Sequence, residues 1–144
     1  MNSYLIDANL VLALVVRGHA HHELARSWYR GLEDGQFGLC RLVQLTVIRL
    51  LATKRVMGDS VMPVSAGWRL LRELAEDSRV VFVGEDGETE RLLPTMWRYA
   101  PPTPQFVNDG YLAAMALSTG RRLVTFDQGF REFPGLGVTV LAGD

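Results

Sequence analysis

The chain has little cysteine and almost no lysine. Cys40 is the single cysteine in 144 residues, so no intrachain disulfide can form and nothing demands an oxidising compartment. A cytoplasmic location is the expectation. Lys54 is the only lysine among fifteen lysines and arginines. Arginine's planar fork suits bidentate phosphate or carboxylate recognition better than a point charge does, although GC-rich coding produces the same skew. Surplus positive charge is also missing: the formal net charge is −1, so the chain as a whole is no basic nucleic-acid glove. No apolar run reaches the ~18 residues of a membrane-spanning helix, so no membrane partner is expected. The apolar run 10–16 has neither a basic lead-in nor a small-residue cleavage site, so a secretory leader is not expected either.

What is present is hydrophobic. Residues of that kind make up 48% of the chain, enough for a packed core in one domain spanning 1–144. Short apolar segments at 4–6, 37–40, 80–83, 123–126 and 138–141 read as strands. Between them, helical patterns fall at 8–16, 21–32, 41–54, 63–76 and 110–118, with another entered from the acidic turn 85–90. The 41–54 helix is apolar nearly all round, which predicts burial on several sides. Pro101, Pro102 and Pro104 predict a stiff loop, after which Asn108 or Asp109 caps the 110–118 helix. Strands that are apolar on both faces and alternate with helices specify an α/β fold. Its centre is a mostly parallel sheet of about five short strands, flanked by helices.

Carboxylates punctuate this pattern. Asp7 ends the first strand, Asp127 follows the fourth, and Asp109 stands at a helix opening before the fourth. Open parallel sheets bind ligands beyond their carboxyl ends, so these three acids are expected to meet at one rim. Carboxylates that converge repel one another and need protons or cations. Their hard oxygens favour Mg2+, with Mn2+ as a substitute. A divalent ion there would activate water and stabilise a leaving oxygen, the chemistry of phosphodiester hydrolysis. Each acid alone also reads as a helix cap or turn residue.

Three segments then resemble one family in order. Tyr4-Leu5-Ile6-Asp7-Ala8-Asn9 is similar to the opening motif of PIN domains. The run Asn108-Asp109-Gly110-Tyr111-Leu112-Ala113-Ala114 resembles their central aspartate-led helix, and Leu123-Val124-Thr125-Phe126-Asp127-Gln128-Gly129-Phe130 their closing strand and acid. The similarity spans essentially the whole chain and is nearest to VapC-type toxins of bacterial toxin–antitoxin pairs. It implies a PIN-like three-layer sandwich and magnesium-dependent endoribonuclease activity on structured RNA such as tRNA or rRNA. It also implies a homodimer and a cognate antitoxin. Residue by residue, it assigns Asp7, Asp109 and Asp127 to metal binding, and Thr125 to a hydroxyl supporting the last acid or a nearby water.

One departure stands out. The family's second acid, a glutamate in the 41–54 helix, is missing, and Gln44 is taken to occupy its place. An amide can bond water near a metal but adds no charge, so Gln44→Glu is expected to tighten metal binding. The alternatives for Gln44 are a buried amide bonded to Arg41, or the mark of a weakened or inactive RNA- or protein-binding module. A phosphatase or phosphotransfer reading of Asp7 fits poorly: Asn9 replaces the second aspartate, and Lys54 ends a helix rather than a strand. Asn9 reads equally as a helix-opening residue or a partner of a metal ligand. His19, His21 and His22 diverge too much for zinc, and Glu85, Asp86, Glu88 and Glu90 read as a solvated turn. Trp28, Trp68 and Trp97 are expected in the core or a dimer interface. Arg41, Arg49, Arg55, Arg121 and Arg122 are candidates for RNA phosphate or antitoxin contact.

Overall fold

Short strands with apolar side chains on both faces must be covered on both faces, and that requirement organises the molecule. The computed structural model describes residues 2–98 and 103–142. Strands β1 (Tyr4–Ile6), β2 (Phe37–Leu39), β3 (Val80–Phe82), β4 (Arg122–Thr125) and β5 (Val138–Val140) form one sheet in the order β3-β2-β1-β4-β5. Every pairing is parallel, with Tyr4 opposite Phe37, Leu5 opposite Leu123 and Thr125 opposite Val140. The helices are α1 (Ala8–Val15), α2 (His22–Arg30), α3 (Arg41–Leu51), α4 (Lys54–Met57), α5 (Val64–Leu74), α6 (Gly87–Arg98) and α7 (Gln105–Ser118). The fold is the expected α/β sandwich, a parallel five-stranded sheet flanked by helices.

Leu5, Ile6, Phe37, Leu123 and Val124 of the sheet are fully buried, against Leu10 and Val11 of α1 and Val47 and Leu51 of α3. Ala113, Ala114 and Ala116 give α7 a thin, wholly buried face, which lets its backbone approach β4 closely. Gly38 is required where β2 meets β1. A Cβ there would collide with the Tyr4 carbonyl oxygen and with the Arg121 guanidinium, which donates to that same oxygen at 3.1 Å.

Several expectations are corrected. The 41–54 helix ends at Leu51; as expected α3 is packed on several sides, against α1 and α5, and only its stripe Arg41, Leu45 and Arg49 is exposed, Leu45 at 56%. The predicted cap at Asn108 or Asp109 is wrong. α7 begins at Gln105 behind Pro104, and a proline is tolerated at a helix opening because the N–H it lacks would have no helical partner. Asn108 and Asp109 therefore sit within the helix. Trp28 packs edge-on to Tyr4; Trp68 and Trp97 are about 40% exposed, which removes the core alternative for these two and leaves the interface one. Pro101 and Pro102, which were to stiffen the preceding loop, lie outside the described residues.

Candidate active site

The sheet order reverses between β1 and β4, and the acids gather there. Asp7 is the residue after β1, and Asp127 lies just beyond β4. Asp109 comes from the amino-terminal half of α7, the helix that leads into β4. Such a reversal opens a crevice at the carboxyl ends of the strands. All three acids line one cavity there, of about 470 Å³, with Asn9, Thr46, Arg49, Asn108 and Phe130.

Local hydrogen bonds fix two of the acids. Asp7 caps α1, its Oδ1 accepting from the Ala8 N–H at 2.8 Å. Its Oδ2 accepts from the Thr125 hydroxyl at 2.7 Å. The same hydroxyl oxygen accepts from the Asp127 N–H at 3.0 Å, and Asp127 Oδ1 accepts from the Gly129 N–H at 2.8 Å. Asp109 is placed by helix packing instead. The Cδ1–Nε1 edge of the Trp97 indole, on α6, comes so close to Gly110 that a Cβ there would strike it, and its Nε1–H donates to the Val107 carbonyl at 3.0 Å.

This arrangement is electrostatically unfavourable when empty of cations. Burial raises the Asp7 carboxyl above its ordinary range, outweighing its bonds to Thr125 and Ala8, and the Asp127 charge adds to the rise. Asp109 is pushed up to about 6, first by burial and then by Asp7 and Asp127. Among the described residues none of the three acids has an ion-pair partner, and Arg49 is the one cation lining the cavity. The donor set is hard oxygen throughout, which fits Mg2+ or Mn2+. Among the described residues, however, no three His, Cys, Asp or Glu side chains are grouped tightly enough to cage an ion alone. A hard ion here would complete its shell with water.

Gln44 is not in this cavity. Its Oε1 accepts from Arg41 Nη1 at 2.7 Å, on a different side of α3, as the alternative reading of a buried amide had it. The reason is helical geometry: at about 100° per residue, Gln44 and Thr46 project in roughly opposite directions. Thr46 and Arg49 face the acids, and sequence reasoning gave Thr46 no role. The signal was the stripe Leu42, Thr46, Arg49 at helical spacing, hidden among apolar neighbours. The α3 wall of the cavity thus carries no carboxylate.

Five of the remaining candidates are engaged elsewhere. Glu85 accepts from the Tyr111 hydroxyl, Asp86 from Thr89, and Glu88 pairs with Arg91. His21 packs against Phe126 and His22 bonds the Ala13 carbonyl.

The PIN domain family model matches residues 4–136. Ribonuclease VapC41 of Mycobacterium tuberculosis is 33% identical over 146 residues, an alignment covering 96% of this chain and 98% of that protein. Ribonuclease VapC44 of the same species is 30% identical over 126 residues, covering 86% and 85%. Among solved structures, the sarcin-ricin loop cleaving toxin VapC20 of M. tuberculosis superposes with a TM-score of 0.64 at 21% identity, over 90% of this chain and 93% of that one. The DNA-bound VapBC complex of Salmonella typhimurium gives 0.67 at 13% identity, over 99% and 100%. By family match, identity to curated relatives and fold alike, the chain belongs to the PIN-domain family and, within it, to the VapC ribonucleases.

Proposed function

We propose that this chain is a divalent-metal-dependent endoribonuclease and the toxin of a toxin–antitoxin pair. One observation carries the reading: three acids from distant segments line a single cavity at the sheet's reversal point, without a salt bridge among the described residues. Asp7, Asp109 and Asp127 are the proposed holders of Mg2+, or Mn2+ in its place. Such an ion would activate water and stabilise the leaving oxygen of a phosphodiester. The chain's own residues do the positioning. Thr125 and the Ala8 N–H aim both oxygens of Asp7, and the Gly129 N–H fixes one oxygen of Asp127 and leaves its other to the cavity. Arg49, the lining cation, is the group available to a scissile phosphate.

Structured RNA such as tRNA or rRNA is the proposed substrate, which the relative described as cleaving the sarcin-ricin loop supports. A cognate antitoxin is the proposed partner, since several fold neighbours were solved as VapBC or toxin–antitoxin complexes. A homodimer is proposed as well; exposed Trp97, Val107 and Leu45 are apolar surface such an interface would cover. In this reading residues 1–144 make one PIN-like domain acting in the cytoplasm, and no helix of the described residues is long and apolar enough to cross a membrane. The test incubates purified protein with total RNA, with Mg2+ or with chelator, beside Asp7→Asn. Cleavage should need both the metal and Asp7. Cleavage indifferent to both would refute the reading.

A further inference from the structure

A second cavity, of about 340 Å³, lies on the other side of α3 from the acids. Leu39, Val80 and Val81 contribute to its apolar wall, and its polar edge is Arg41, Gln44 and Arg72. Two aromatic rings at its mouth are left in solvent: Trp68 is 40% exposed and Phe82 is 55% exposed. The Arg41 guanidinium sits 4.9 Å from the Phe82 ring centre and 5.8 Å from that of Trp68, while Arg72 lies 5.9 Å from Trp68 on its own account. Gln44, buried, holds Arg41 in that position through its 2.7 Å bond. Among the described residues no acidic side chain lines the cavity and neither arginine has a carboxylate partner.

We infer that this cavity is a subsite for a single-stranded RNA segment beside the scissile bond, with a base stacked on Trp68 or Phe82 and its phosphate held by Arg41 and Arg72. The inference rests on the nuclease reading and specifies how the substrate is held. Aromatic faces interleaved with guanidinium groups suit nucleotides, because every base has a stacking face and every linkage carries a negative charge. Location agrees with that use. Phe82 ends β3 and Arg41 follows β2, so the subsite shares the carboxyl rim of the sheet with Asp7. The two cavities share one wall, since α3 turns Leu42, Thr46 and Arg49 to the acids and Arg41 and Gln44 to the aromatics. A helix is ~10 Å across, a span of about three stacked nucleotides at ~3.4 Å each. Unpaired loop bases of a structured RNA can be splayed out in that way.

The experiment measures anisotropy of a fluorescein-labelled, ten-nucleotide random single-stranded oligoribonucleotide bound to full-length protein in chelator, so that cleavage does not intervene. Trp68→Ala should weaken binding about tenfold, and Trp68→Phe should keep most of the affinity because it keeps a ring. Arg72→Gln, at an exposed position outside the core, should weaken binding about threefold and lower the salt slope by about one. Asp7→Asn should bind the oligonucleotide at least as well as the parent. Unchanged oligonucleotide affinity in both Trp68→Ala and Arg72→Gln overturns the subsite while Mg2+-dependent cleavage would leave the nuclease reading standing. A loss of affinity in those variants for a Glu- and Leu-rich peptide, but not for the oligonucleotide, makes this a protein-docking surface and also overturns the inference. Failure of the nuclease reading shows separately, as cleavage that survives Asp7→Asn.

Discussion

Thr125 Oγ1 donates to Asp7 Oδ2 at 2.7 Å, joining the end of β4 to the end of β1 across the point where the sheet order reverses. Both residues are buried, Thr125 completely. The same oxygen accepts the Asp127 N–H, so one hydroxyl sets the spacing of two acids. Thr125→Val keeps the shape and deletes the bonds. It should cost ~1–2 kcal/mol of stability, because a buried carboxylate oxygen and a backbone N–H lose their partner. RNA cleavage should fall about tenfold, by analogy with the loss of an outer partner of a ligand, whereas Thr125→Ser should recover most of it. Chemical denaturation and single-turnover cleavage check the two halves, and Thr125→Ser behaving like Thr125→Val would remove the hydroxyl from the account.

Stability of the metal-free protein should depend on pH with a definite sign. Asp109 titrates at about 6 in the fold and near 3.9 when unfolded. Between those values the folded state keeps a proton that the unfolded state has lost, so stability falls as pH rises through the window and stays low above it. Asp7 is raised in the same direction. In chelator the melting temperature contributed by this cluster should therefore be higher at about pH 5 than at about pH 7.5. Saturating Mg2+ should restore on the order of 3 °C or more at the higher pH and little at the lower. Circular-dichroism melts at both pH values, with and without Mg2+, decide it; an equal Mg2+ effect at both would contradict the proposed carboxylate cluster.

The two faces of α3 make a paired prediction. Thr46 lines the acid cavity and Gln44 does not, so Thr46→Glu should tighten Mg2+ binding, roughly five- to tenfold by adding a charged oxygen. Gln44→Glu, expected from sequence to do this, should instead pair with Arg41 and leave Mg2+ affinity unchanged. Calorimetric titration of both variants distinguishes the faces, and the reverse ranking would mean that α3 is rotated from the position described.

How much of this was legible in the sequence depended on what marked each residue. Asp7 and Asp127 end apolar strands, and a parallel sheet sends such ends to one rim, so their meeting could be read directly. Asp109 was found as an acid but given the wrong start of helix, because Asn108-Asp109-Gly110 has the composition of a cap and Pro104 was read only as a breaker. The register of α3 was not legible. With Leu42, Val43, Leu45, Val47, Ile48, Leu50 and Leu51 all apolar, the period points to no unique face, and tertiary packing alone left Leu45 outside. Trp68 and Phe82 were illegible for a similar reason, since large rings are ordinarily read as core and nothing local says that these stay in solvent.

The acids at 7, 109 and 127 should act together as one cation site, and Mg2+ titration calorimetry at about pH 7.5 decides whether they do. The parent protein should bind, Asp7→Asn, Asp109→Asn and Asp127→Asn should each weaken binding about tenfold or more, and any two together should cost less than the sum of their separate losses. Absence of Mg2+ binding by the folded parent, or affinity unmoved by all three substitutions, would contradict it.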